Sequence, residues 1–291
     1  MPTLSCIGAG SLGKTICHLL SSQLEIQQII NRSPSSSQQA VDFIGAGTLG
    51  SFANLAHADI WLIATPDDDI EAAGEALWQS GVLRAGDTVF HCSGSLSASI
   101  LNYEGAAIYT ASIHPIHSFS NPSQSLKSFP GSHCAMEGQP EAMEVLSPLF
   151  TAIGALPFAI DADRKVLYHA ATVTACNYLV SLLETSQQML TAAGVDSAEA
   201  NPLEPLIRQT MHNFFRTDAR SALTGPIARG DHKTVTSHLI ALETGTDTDL
   251  WQQVYRTLGN ATVNIAAQRG QASTENLERI SRLLKPEASD S

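Results

Sequence analysis

Thr3–Leu20 joins an apolar run, a Gly-x-Gly-x-x-Gly turn and a helical pattern without a gap. Thr3–Ile7 reads as a buried strand and Leu12–Leu20 as a helix, with Gly8, Gly10 and Gly13 in the turn between them. The first glycine permits the turn, the second lets backbone approach a pyrophosphate, and the third lets the helix lie close on the strand. Free amides at the helix start, Ser11 and Leu12, face the anion. This strand–turn–helix context predicts a dinucleotide site.

A near copy, Gly45-Ala46-Gly47-Thr48-Leu49-Gly50, tests that reading. It follows a helical stretch, Ser35–Ile44, and precedes no periodic helix, so it is expected to be a helix C-terminus with a left-handed glycine cap leading into a short strand. Further strands are expected at Glu25–Ile30, Ile60–Ala64, Thr88–Cys92, Ala106–Ile113, Ser132–Met136 and Ala155–Ile160. Helices at Ser35–Ile44, Asp69–Gln79 and Glu141–Ile153 alternate with them, which predicts a parallel sheet covered on both faces. Ser118–Ser132, rich in Ser, Pro and Asn, reads as a loop.

After Asp161 only helical patterns follow: Arg164–Ala193, Pro202–Arg216, His232–Leu242, Asp249–Gln268 and Thr274–Leu284. Asn201-Pro202 and Asp231 read as helix starts. The fold class is therefore an α/β Rossmann-like dinucleotide-binding domain, residues 1–160, followed by an all-α domain, residues 161–291. Val166–Leu183 carries no charge over 18 residues, the lower bound for a membrane span. Its His169, Thr172, Thr174, Asn177 and Ser181 are costly in hydrocarbon, so a buried helix at the centre of a soluble domain is expected and no membrane partner.

A net charge of −12 argues against a nucleic-acid partner held by a basic face. Residues 1–160 hold 4 basic and 13 acidic side chains, so an anionic ligand there must be gripped by backbone amides or one placed arginine. Five cysteines without Cys-x-x-Cys fit neither a disulfide framework nor a zinc ribbon, and a reducing, cytoplasmic setting is expected. No charged-then-apolar leader precedes Leu4.

The end of the second strand decides between nucleotides. An NAD site usually places Asp or Glu there for the ribose hydroxyl; this chain has Asn31-Arg32-Ser33, with Asn31 18 residues past Gly13. An arginine can grip a 2′-phosphate bidentately and a serine can donate to it, which favours NADP(H). An exposed turn arginine without a ligand is the alternative. Thr65-Pro66 and Ser93-Gly94 follow buried strands on the same edge and would approach the nicotinamide side; ordinary loop chemistry is the alternative for them. Asp67-Asp68-Asp69 reads as a helix N-terminal charge cluster.

The Asn-Arg-Ser turn, Ala64-Thr65-Pro66-Asp67 and the helical second half resemble the β-hydroxyacid dehydrogenase and pyrroline-5-carboxylate reductase group. Four segments resemble more closely the oxidoreductases that join a Rossmann-like domain to a C-terminal domain of unknown function. They are His91-Cys92-Ser93-Gly94, His114-Pro115-Ile116-His117-Ser118-Phe119, Lys165-Val166-Leu167-Tyr168-His169-Ala170-Ala171 and the run from Leu223 through Thr224-Gly225-Pro226 to Asp231. The resemblance covers nearly the whole chain. It implies an NADP-linked oxidoreductase, allied to deazaflavin-dependent NADP oxidoreductases, with a C-terminal domain like that of 6-phosphogluconate dehydrogenase and a homodimer formed through it.

Hydride transfer to a carbonyl or imine needs a proton source and a positive group where charge develops. Lys165, His169, Thr172 and Cys176 share one helical face by spacing and can line a cleft. In the dehydrogenase group a catalytic lysine is followed four residues later by asparagine; here Lys165 matches and His169 replaces the asparagine. Lys165 is the leading acid/base or carbonyl-polarising group, with a solvated head as the alternative; His169 is a second catalytic candidate or a core histidine. His114 and His117 end a strand where open α/β sheets bind ligands, as proton carrier and substrate-carboxylate contact. Thr172, Thr224 and Gly225 are further substrate candidates; the loop around Thr224 closes over its own or a partner's cleft, or is a rigid connector. Among His91, Cys92, His114, His117, His133 and Cys134 no spacing resembles a zinc site, so no metal is expected.

Together these features predict an NADP(H)-dependent oxidoreductase acting on a small carbonyl, hydroxy-acid or imine substrate. The alternatives are a non-catalytic NADP(H)-binding redox sensor and hydride exchange between NADP and a deazaflavin or flavin.

Overall fold

Four successive buried residues, Ile60–Ile63, cannot form a strand with one wet face, because neighbouring side chains point to opposite sides of a sheet. Leu62 enters one hydrophobic core while Trp61 and Ile63 enter another, so both faces of the sheet are covered. The structure, a computed structural model, describes every residue except 104, 106, 196–201, 244–247 and 286–291.

The first compact unit, Met1–Ala175, begins β1 (Thr3–Ile7), α1 (Ser11–Leu20), β2 (Glu25–Ile30), α2 (Pro34–Ile44), β3 (Thr48–Leu49) and β4 (Ile60–Ile63). It continues with α3 (Asp67–Gln79), β5 (Thr88–His91), β6 (Tyr109–Pro115), α4 (Pro122–Ser128), β7 (His133–Gly138), α5 (Pro140–Ala152) and β8 (Leu156–Ala159). The strands form one eight-stranded sheet in the order β3-β2-β1-β4-β5-β6-β7-β8. The first six run parallel, in the order of a doubly wound nucleotide-binding sheet. Ile16 and Leu20 of α1 and Leu146 and Phe150 of α5 fill one face; Ile70 and Leu77 of α3 fill the other.

The second glycine run behaves as its context dictates: Gly45 caps α2 in the left-handed conformation and Thr48–Leu49 pairs with β2 as an edge strand. Three expectations need correction. Ser118–Ser132 is not a plain loop, because Asn121 caps Gln124 and Pro122 opens α4, which packs against α1. The connection returns at the same sheet edge, where Ile116 N–H donates to the His133 carbonyl, and so β7 runs antiparallel to β6.

The last strand ends at Ala159, and α6 (Lys165–Ala192) follows a short 3₁₀ turn, Ala162–Arg164. The two compact units meet in sequence inside α6, at Ala175/Cys176, so its first three turns belong with the sheet. The third correction concerns this helix. It is long and apolar enough to cross a membrane, and its most apolar window is not buried: Val166 and Leu167 are 67% and 72% exposed. A helix apolar all round gives one chain more greasy surface than its own elements cover.

The second unit, Cys176–Ser291, contains the rest of α6 with α7 (Glu204–Arg216), α8 (Ala219–Ala222), α9 (Pro226–Arg229), α10 (His232–Ala241), α11 (Thr248–Arg269) and α12 (Thr274–Leu284). Val235, Ala266, Ile280 and Leu284 centre its core. Asp231 caps α10 through Thr234 N–H at 3.0 Å, as its position before the helix predicts. The expected cap Asn201 and strand start Ala106 lie outside the described residues.

Candidate active site

Gly8 leaves β1 with φ +87°, and a side chain there would strike the backbone of Ala64 and Thr65 at 2.6–2.8 Å. β1 and β4 are neighbours, so this close approach sets the turn against the end of β4. Gly10 is the N-cap of α1, makes no side-chain cap, and has open space where a Cβ would stand. The helix therefore presents amides without side-chain acceptors to a place that no described residue fills. Thr65 Oγ1 is buried and has no hydrogen-bond partner, so it too awaits an acceptor or donor from outside. Pro66, at the N-cap of α3, is exposed beside it.

Asn31 holds this turn from β2. Its Oδ1 accepts from Ala9 N–H at 2.7 Å and its Nδ2 donates to the Ser36 carbonyl at 3.0 Å. Both ends of the amide are thus used by the chain, which makes Asn31 the brace of the turn. Ser33 caps α2 through Ser36 N–H, and its hydroxyl also bonds those of Ser35 and Ser36. Arg32 lies exposed between them, and among the described residues no hydrogen bond or ion pair engages it.

Ser93 and Gly94 follow β5. The Ser93 hydroxyl donates to Asp67 at 2.7 Å and accepts from the amides of Ser95 and Leu96, so this serine folds the loop. Gly94 is required by close approach: an added Cβ would overlap His169 Nδ1 and stand 2.9 Å from His114 Nε2. The two rings meet edge-on there, centroids 5.2 Å apart. His114 Nδ1 lies 2.7 Å from Tyr168 Oη, and Thr172 Oγ1 lies 3.4 Å from His169 Nδ1. Burial, with His169 and Lys165 beside it, pushes the His114 imidazole down to about 4 against the opposing pull of Asp67.

Lys165 is 1% exposed. Its ammonium donates to the Leu96 carbonyl, to Ser112 Oγ and to Glu137 Oε1, the last at 2.9 Å. Glu137, itself 8% exposed, also accepts from Ala98 N–H at 2.8 Å. Burial pulls the ammonium below the usual lysine range, opposed by the hydrogen bond and charge of Glu137. Three protons meet three acceptors, so Lys165 is not a solvated cleft lysine; it ties α6 to β6, β7 and the loop after β5. Ser112 passes the link on to the Ser93 carbonyl at 3.3 Å, directly before Gly94.

Residues 132–262 match a family model described as a domain of unknown function, DUF2520. No curated protein matches the chain. Among solved structures, protein TM1727 from Thermotoga maritima is 24% identical, with a TM-score of 0.70 over 92% of this chain and 99% of that one. A pyrroline-5-carboxylate reductase from Coxiella burnetii is 16% identical, with a TM-score of 0.57 over 98% and 99%. A reductive aminase from Aspergillus terreus, solved with NADPH and ethyl-5-oxohexanoate, is 14% identical, with a TM-score of 0.57 over 98% and 92%. These likenesses are of fold: a Rossmann-like sheet joined to a helical domain, the architecture expected from the sequence motifs.

The DUF2520 span carries Glu137, Lys165, Tyr168 and His169, while the glycine turn, Gly94 and His114 precede it. His117 does not join the rings over Gly94. Its Nδ1 meets Ser132 Oγ at 3.0 Å, its Nε2 meets Ser128 Oγ at 3.4 Å, and Phe119 and Phe129 pack on its ring. Thr224 and Gly225 belong to the second unit, where Gly225 turns the chain into α9 and Thr224 lines an apolar cavity of about 380 Å³ with Leu182, Met189 and Tyr255. Cys176 is exposed. Sequence reasoning missed Tyr168, Glu137 and the hydroxyl-accepting role of Asp67. One signal for Glu137 was present: an acid in the otherwise apolar strand His133–Gly138 needs a buried cation, and Lys165 opens a charge-free helix. Among the described residues one acidic group of metal-site geometry occurs, His57, Asp59 and Asp87. Its ligand atoms already serve one another, Thr3 and Arg84 N–H at the N-terminal ends of β1, β4 and β5, opposite the glycine turn.

Proposed function

We infer that the chain is an NADP(H)-dependent oxidoreductase that moves a hydride to or from a small carbonyl, hydroxy-acid or imine compound. The observation that carries this reading is the cradle at the end of β1. An uncapped helix N-terminus, open space over Gly10 and the orphaned Thr65 hydroxyl converge on a position that a pyrophosphate and its sugar would satisfy. The residues present fit the nucleotide: Gly8, Gly10, Ser11, Leu12 and Gly13 for the pyrophosphate, Arg32 and Ser33 for a 2′-phosphate, and Thr65, Pro66, Ser93 and Gly94 toward the nicotinamide. A bound nicotinamide supplies or accepts the hydride. Asn31 braces the turn, His114 and His169 face the reacting group, and Lys165 with Glu137 holds the strand ends that carry them. Thr172 steadies His169, while His117 stands as an outer substrate contact. The exposed α6 supports a homodimer through the helical domain, as the family resemblance implies.

Titration of the purified protein with NADPH and NADH by nicotinamide fluorescence tests the reading. A preference for NADPH of tenfold or more, about 1.4 kcal/mol, lost in Arg32→Ala, is the expected result. Failure of both nucleotides to bind at millimolar concentration would overturn it.

A further inference from the structure

Resting on the oxidoreductase reading above, we propose that Tyr168 is a positioning residue that fixes the His114 proton on Nε2. The N–H so presented over Gly94, beside His169, selects a carbonyl or alkoxide oxygen and not an iminium nitrogen as the reacting atom. Tyr168 Oη and His114 Nδ1 are 2.7 Å apart, shorter than the usual N–H···O separation of about 2.9–3.0 Å and in the range of hydroxyl donors. A phenol donates better than it accepts, because its lone pairs are delocalised into the ring, and a neutral imidazole has one nitrogen that only accepts. The hydroxyl therefore donates to Nδ1, and the proton of the neutral ring sits on Nε2. That nitrogen has no hydrogen-bond partner among the described residues and stands over Gly94, where His169 Nδ1 also converges.

The charged groups around this point favour an oxygen. Lys165, from the start of α6, is matched by Glu137 of β7 at 2.9 Å. Asp67, at the start of α3, turns one oxygen to the hydroxyls of Ser93 and Ser95. His91 of β5 is buried, and burial followed by Lys165 pushes it down to about 4, so it adds no charge at neutral pH. Among the described residues no carboxylate bonds either ring, and the one that pulls on His114, Asp67, already accepts from two hydroxyls. A neutral N–H donor, in contrast, stabilises the negative charge that grows on a carbonyl oxygen as its carbon gains hydride. The low position of the His114 imidazole, about 4, keeps it neutral for that task.

The test is ¹⁵N NMR of histidine-labelled full-length protein at pH 7, without nucleotide and with NADP⁺, for the wild type and Tyr168→Phe. A single neutral Nε2–H tautomer at His114, lost to a tautomer mixture in Tyr168→Phe, is expected. An Nδ1–H tautomer or a protonated ring in the wild type would overturn the assignment even if Tyr168→Phe does not fold. In turnover with NADPH, consumption of 1-pyrroline faster than of a panel of ketones and α-keto acids would overturn the choice of oxygen. Loss of NADPH binding is a separate failure: it removes the oxidoreductase reading, and the carbonyl with it, while the tautomer is still read directly.

Discussion

A methyl group at position 94 has no room, since it would overlap one imidazole and crowd a second. Gly94→Ala is expected to push His114 and His169 apart and to lower stability by about 1–3 kcal/mol, the usual cost of overpacking. Urea denaturation measures the cost. Glu137→Gln keeps the shape but leaves the Lys165 ammonium buried without its counter-charge. Removing one partner of a buried pair costs about 3–5 kcal/mol, and a fall of that order in urea is expected. His91 and His114 set the acid limit. Both fold with pKa values near 4, below the 6.5 of a free imidazole, so the unfolded chain takes up protons first as pH falls. The stability they contribute is complete above pH 6.5 and is lost between 6.5 and 4, up to roughly 3 kcal/mol per ring. Urea midpoints across that window, flattened in His114→Asn, check the sign.

At the scale of elements, α6 makes the sharpest prediction. Its exposed Val166, Leu167, Tyr178 and Val180 form more apolar surface than a monomer in water keeps open. Light scattering is expected to give a dimer, and Val180→Asp a monomer at micromolar concentration. The same helix shows where sequence reasoning stops. A charge-free run reads alike whether its cover is the chain itself or another molecule, because composition records greasiness and not what lies against it. What was legible was local: the glycine turn between its strand and helix, the left-handed cap at Gly45, the Asp231 cap and the bounds of α12. Each is decided within a few residues. The reversal of β7 was not legible, since it follows from where α4 packs, on a helix a hundred residues earlier. The candidate site divides the same way. His114, Lys165 and His169 were recognisable as residue types with chemistry to offer. The partners that set their roles, Tyr168 and Glu137, depend on how the start of α6 lies against two strands.

For the whole molecule, nucleotide binding should be felt by the sheet. At 100 times its dissociation constant NADPH is expected to add about 2.7 kcal/mol, seen by hydrogen exchange as slower opening of β1, β4 and β5. Exchange in those strands unchanged by NADPH would speak against the cradle. The antiparallel pairing of β6 with β7 has a further consequence. Register sets Glu137 opposite Ser112, and only that register points both at Lys165. A slip of one residue would turn every side chain of β7 to the other face and strand the ammonium without an acid. An unpaired ammonium resists burial, so the opening turns of α6 could not settle and His169 would never reach Gly94. The ion pair is thereby expected to act as quality control during folding: a misaligned β6–β7 pair would lack the Lys165–Glu137 contact and, with it, the assembled candidate site.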